Sequence, residues 1–120
     1  VQKGLVVSLS CDSESTSAGD MFSIMRNTIA VGRVEAANPP DNRAEPQNFN
    51  AANFISTKRL LEMATLDGAK CLGQDKRIGS LAVGKDADFL LLQADHLAYY
   101  PLQDPIDAIV TAADTGAIDA

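Results

Sequence analysis

The sequence predicts an α/β chain in which one buried strand comes first, helices follow, and short extended segments come after them. Two observations carry that class. Residues Gly4 to Ser10 (GLVVSLS) form a continuous apolar run with β-branched content, as in a strand covered on both faces. The hydrophobic period is helical up to Leu72 and changes to short extended runs beyond Gly73. A single long strand is too little to build a complete parallel sheet, so the chain reads as part of a larger α/β body.

The strand ends in the polar stretch Cys11 to Gly19. Met21, Ile24, Met25, Thr28, Ile29 and Gly32 then recur at helical spacing, which predicts an amphipathic helix from about Asp20 to Glu35 with Asp20 at its start. Residues Asn38 to Asn53 hold three prolines and five asparagines and are expected to form a long loop, a candidate cover for a site. A second helix is expected over Lys58 to Leu72, with Thr57 as N-cap, Gly73 as C-terminal stop, and Leu61, Ala64, Thr65, Gly68 and Leu72 on one face. Arg77 to Leu81 and Ala87 to Leu92 read as extended segments around a turn at Val83-Gly84-Lys85. Asp104-Pro105 opens a last helix, about Pro105 to Ala113, with Asp107 in its first turn.

The 120 residues suit one domain, and 46% hydrophobic with 22% charged residues places the chain among globular proteins rather than disordered ones. A net charge of −6 disfavours nucleic acid and anionic membrane as partners, because both need a basic face. Cys11 and Cys71 stand far apart with no Cys/His cluster, which excludes the usual structural zinc site. Two reduced thiols in a cytoplasmic protein is the favoured reading, with a disulfide left open. No segment is long and apolar enough to span a membrane, and no signal peptide is visible. The start at Val1-Gln2-Lys3, without an initiator Met, suggests an internal piece.

Three patterns invite chemistry. Gly79 to Lys85 satisfies GxxxxGK, but Asp86 stands where a phosphate loop needs Ser or Thr, and a strand is expected where a helix should follow. Ser10, Cys11 and Ser13 lie at a strand end, and His96 is the lone histidine. A thiol or hydroxyl nucleophile would need His96 within hydrogen-bond reach, and no GxSxG elbow is present. Asp12 sits just past the C-terminal end of a buried strand, where α/β folds place their chemistry, although acids there also cap turns.

Gly4 to Ser13, the stretch Thr57 to Gly73 with Glu62-Met63-Ala64-Thr65-Leu66-Asp67-Gly68-Ala69, and Ile78-Gly79-Ser80-Leu81-Ala82-Val83-Gly84-Lys85-Asp86-Ala87-Asp88 together resemble the amidohydrolase superfamily. The nearest branch is that of the aminohydrolases and chlorohydrolases acting on nucleobases, S-adenosylhomocysteine-type nucleosides and triazines. Asp104 to Val110 continues the register, and the stretch Ile78 to Asp88 is the most specific part. The resemblance implies the C-terminal fragment of a metal-dependent hydrolase (β/α)8 TIM barrel plus part of its small β-sandwich domain. Residues 1–75 would give the last barrel strand and its following helices, 76–95 strands of the sandwich, and 96–120 a helical segment returning to the barrel.

The implied activity is hydrolysis of a non-peptide C–N bond, of the deaminase or chlorohydrolase type, in a small cyclic amidine or nucleobase-like substrate. A divalent zinc or iron would activate the water. Asp12 would be both metal-site and catalytic residue, moving the water's proton to the leaving group. Ser13 and Ser15 are candidates to face the substrate, a position that loop structure explains equally well. The family's His-x-His pair, its later histidines and its catalytic glutamate have no counterpart in the chain, which also stops where the family continues into further strands. The chain alone is therefore expected to be inactive and to hold metal weakly, and to associate with the rest of the barrel or with copies of itself. The rival reading is a non-enzymatic association module or swapped fragment derived from the same family.

Overall fold

A computed structural model describes residues 4–13, 15, 18–37 and 54–119. The long loop expected at Asn38 to Asn53 lies outside the described residues. Helix α1 spans Met21–Ala37, α2 Thr57–Ala64, α3 Leu66–Cys71 and α4 Pro105–Thr111. Two 3₁₀ turns, Leu97–Tyr99 and Thr115–Ala117, flank α4.

Three of the four helices begin on a side-chain cap, and α3 follows Thr65 without one. Asp20 Oδ1 accepts the Ser23 N–H at 2.9 Å ahead of α1. Ser56, rather than the expected Thr57, caps α2 by accepting the Arg59 N–H at 3.1 Å. Asp104 accepts the Ile106 and Asp107 N–H groups at 2.8 and 2.9 Å, and Pro105, which has no N–H to leave unpaired, opens α4.

The single helix expected over Lys58 to Leu72 is two helices that break at Thr65, whose backbone leaves the helical region (φ −125°, ψ −81°). The Thr65 hydroxyl donates back to the Leu61 carbonyl at 2.7 Å, and its N–H bonds to Glu62 O in a tighter turn, so the ladder changes register there. Asp67, buried to 2% exposure, fastens the two halves together. Its Oδ1 accepts from Lys70 Nζ at 3.1 Å, and its Oδ2 faces the Arg59 guanidinium as an ion pair without a well-aligned hydrogen bond. Arg59 also reaches Glu62 at 3.2 Å. At the end of α3, Gly73 takes φ +66° and its N–H bonds to Lys70 O, the expected glycine stop.

The core joins α1, α2 and α4. Phe22, Met25 and Ile29 pack with Leu60, Met63, Val110 and Ala113, and Leu60 and Val110 are fully buried. The most buried residues of α2 and α3 are Leu60, Met63, Asp67 and Ala69; of the expected face Leu61 and Ala64 pack at the edge of the core, and Leu72 is 72% exposed. Leu60, Met63 and Asp67, spaced three and four apart, form a stripe beside the expected one, so the displacement is present within α2, ahead of the break at Thr65. In α1 the expected face holds for Ile24, Met25 and Ile29, Phe22 joins it, and Met21 turns outward.

The expected strands form no ladder among the described residues. Gly4 to Ser10 runs unpaired, with Leu5, Val6 and Val7 exposed and only Leu9 packed against the core. Arg77 and Asp86 close the expected turn by a backbone hydrogen bond of 2.8 Å and an ion pair of 2.7 Å, but no strand pairing follows. Phe89, Leu90 and Leu91 stay exposed, and one antiparallel bridge, Leu92 to Ile118, ties this arm to the C-terminal turn. The physical reason is that a strand is stabilised by neighbours on its edges and faces, which these residues do not find within the described chain.

Gly79 seats the turn on the helices. A Cβ there would lie 2.7 Å from Ala69 Cβ and 3.2 Å from Thr65 O, and its φ is +87°. Gly84 has the same left-handed backbone (φ +88°) with open space around it. Gly84→Ala should therefore cost only the backbone penalty, roughly 1–2 kcal/mol. Gly79→Ala should cost about 1–3 kcal/mol more for the clash. Urea unfolding of the two variants checks the ordering, and equal losses would show that the turn does not rest on α3.

The pH dependence of stability should follow the depressed carboxylates. Lys70, opposed by burial and aided by Arg59, holds the Asp67 carboxyl below its ordinary value, and bonds from Ser23 do the same for Asp20. A lowered folded-state pKa stabilises above the unfolded value of about 3.9, and that contribution is lost as pH falls through the folded value. The urea midpoint should thus drop as pH is taken below about 4, and the drop should be shallower in Asp67→Asn.

Candidate active site

Leu9 is the anchor of the N-terminal segment. It packs against the core formed by α1, α2 and α4, and the residues after it emerge from that contact. Cys11 is half-buried and Asp12 is exposed. Asp12 holds φ +59°, the one non-glycine residue with positive φ among those described. Ser13 N–H donates to Cys11 O at 2.6 Å across it, so Cys11 to Ser13 make a three-residue turn of the rarer, left-handed kind. Aspartate tolerates this backbone better than most side chains because its short polar arm can bond locally.

The Asp12 N–H donates to Ser10 Oγ at 3.1 Å. Ser13 and Ser15 are brought together, their hydroxyls 2.7 Å apart, and the Ser15 N–H donates to Ser13 Oγ at 3.3 Å. Among the described residues no three His, Cys, Asp or Glu side chains come together to hold a metal ion. The donor set of this segment is the Asp12 carboxylate, where a catalytic metal site needs about three protein ligands. These residues by themselves do not fit a metal site.

The other sequence candidates have structural employment. Lys85, the lysine of the GxxxxGK pattern, donates to Ile78 O at 3.2 Å and Ser80 Oγ at 3.0 Å and ties the turn to itself. His96 accepts the Ala98 N–H on Nδ1 at 3.4 Å and lies against the Tyr99 ring, with centroids 5.6 Å apart. Cys11 and Cys71 are free thiols, which removes the disulfide left open by the sequence. No helix among the described residues is long and apolar enough to cross a membrane.

One concavity was not legible in the sequence. A depression of about 470 Å³ is lined by Ile29, Arg33, Phe54, Ile55, Ser56, Thr57 and Asp107. The Ser56 hydroxyl caps α2, and the Thr57 hydroxyl donates to Asp107, so these polar groups already serve the packing of α2 on α4. No local pattern announces it, because it joins three segments far apart in the chain.

Known proteins place this arrangement. A crystal structure of an adenosine deaminase from Xanthomonas campestris with bound zinc superposes with a TM-score of 0.68 at 30% identity, over 83% of this chain and 20% of that one. The S-triazine hydrolase of Gordonia rubripertincta is 42% identical over 62 residues, 52% of this chain and 13% of that protein. The 5-methylthioadenosine/S-adenosylhomocysteine deaminase of Thermoanaerobacter pseudethanolicus is 42% identical over 72 residues, 60% of this chain and 16% of that protein. The chain thus spans a fifth or less of the length of each of these three relatives. The amidohydrolase family matches across residues 1–120, and the chain belongs to that family.

Proposed function

We propose that these residues form part of a metal-dependent hydrolase that cleaves a non-peptide C–N bond in a small cyclic or nucleobase-like molecule. The family match over the whole chain carries this reading, and relatives that act on S-triazines and on adenosine derivatives support the substrate class. Residues 1–75 then supply the last barrel strand and the helices behind it, 76–95 strands of a small β-sandwich, and 96–120 the segment returning to the barrel. The apolar faces of Leu5 to Val7 and Phe89 to Leu91, exposed in this chain, are covered in that arrangement by neighbouring strands. The working location is the cytoplasm, where both thiols stay reduced.

Asp12 is the residue proposed to act. Its carboxylate, exposed on a turn fastened by Leu9, accepts a proton from the attacking water and delivers it to the departing amine. Ser13 and Ser15, as a bonded hydroxyl pair next to it, face the substrate. A divalent zinc or iron belongs to this family chemistry, but the donors among the described residues do not make its site, and its remaining ligands come from other segments.

The full-length polypeptide encoded by the gene should release ammonia from adenosine-type nucleosides or split a substituent from an S-triazine, whereas the 120-residue chain should do neither. Asp12→Asn in the full-length polypeptide should lower kcat by about 10²–10⁴-fold. Turnover by the 120-residue chain alone would refute the shared-site reading. Asp12→Gly should leave stability within about 1 kcal/mol of the parent or raise it, since glycine relieves the left-handed backbone. A larger loss in urea unfolding would assign Asp12 to the fold instead of the chemistry.

A further inference from the structure

We infer that Ser10 is a positioning residue for Asp12, an inference that rests on Asp12 being the acting carboxylate. Asp12 is exposed, so packing does not hold it, and its left-handed backbone must be fixed by bonds around it. The described structure shows two. One crosses the residue, from Ser13 N–H to Cys11 O at 2.6 Å. The other takes Asp12's own N–H, its one backbone donor, to Ser10 Oγ at 3.1 Å. Ser10 in turn follows directly on Leu9, which is packed on the core. Position therefore passes from the core through Leu9 to the Ser10 hydroxyl and on to the Asp12 backbone. A strained residue keeps an unusual backbone only where its surroundings over-determine it, and the Ser10 hydroxyl supplies one of the two constraints. Without it, the turn keeps a single closing bond and the carboxylate samples other directions. Small misplacements of a reacting group are expensive in rate and cheap in stability.

The test uses Ser10→Ala, Ser10→Thr and Asp12→Asn in the full-length polypeptide, assayed by ammonia release, together with NMR amide exchange on the 120-residue chain. Ser10→Ala should lower kcat by about tenfold to a hundredfold with KM little changed. In the short chain it should speed exchange of the Asp12 amide while leaving the Leu60 and Val110 amides protected. Ser10→Thr, which keeps the hydroxyl, should restore both. If Ser10→Ala fails to fold, Ser10→Cys keeps the side-chain size with a poor acceptor and should give the same pattern. Unchanged kcat in Ser10→Ala alongside a silent Asp12→Asn would overturn the inference and leave the proposed function standing. An active Asp12→Asn would remove the role of Asp12, and the inference with it.

Discussion

Leu60 on α2 and Val110 on α4 are fully buried in the core shared with α1, and single residues of the flanking segments are fastened to that core. Leu9 leans on that core from the N-terminal side, and Leu92 and Ile118 lean on it from the C-terminal side. The Gly79 turn rests on the break between α2 and α3. Burial of two branched side chains of this size stabilises by roughly 1.5–3 kcal/mol each, far more than any exposed turn contributes. The helices can therefore hold their arrangement while the apolar runs at either end stay exposed.

Those runs explain why the strands were legible as sequence and are not realised as sheet. A helix satisfies its backbone within itself, so Asp20, Ser56 and Asp104 can set their helices locally, and two of the three were readable as caps. A strand satisfies its backbone only through neighbours. Gly4 to Ser10 has the composition of a strand covered on both faces, and composition does not supply a partner. The one bridge between Leu92 and Ile118 forms because both residues are already held on the core, which lowers the cost of pairing them.

The error in the α2 and α3 face has a related origin. Leu61, Ala64, Thr65 and Gly68 recur as regularly as Leu60, Met63 and Asp67, and spacing alone does not say which of two adjacent stripes meets the core. Asp67 then lies on the buried side, where a carboxylate is tolerable only with Arg59 and Lys70 around it. An acid flanked by bases at positions three and eight residues away was visible in the sequence, but which stripe faces the core was not. The turn at Gly79 was read as a family signature, and its close approach to Ala69 and Thr65 gives that glycine a physical reason. That reason concerns packing, so the most specific stretch of the sequence speaks to fold more than to chemistry.

The candidate site divides along the same line. Asp12 could be singled out because it follows a strand-like run, yet what distinguishes it in three dimensions is its left-handed backbone, which no sequence period reports. An exposed aspartate in such a conformation gains little for the fold from burial. Glycine would sit there at lower backbone cost. A carboxylate held in this sparsely populated backbone is a place where function is sought, and the proposed role of Asp12 is one answer. The core fixes Leu9, Leu9 places Ser10, and the turn that follows holds the Asp12 carboxylate in the open, as its proposed role requires.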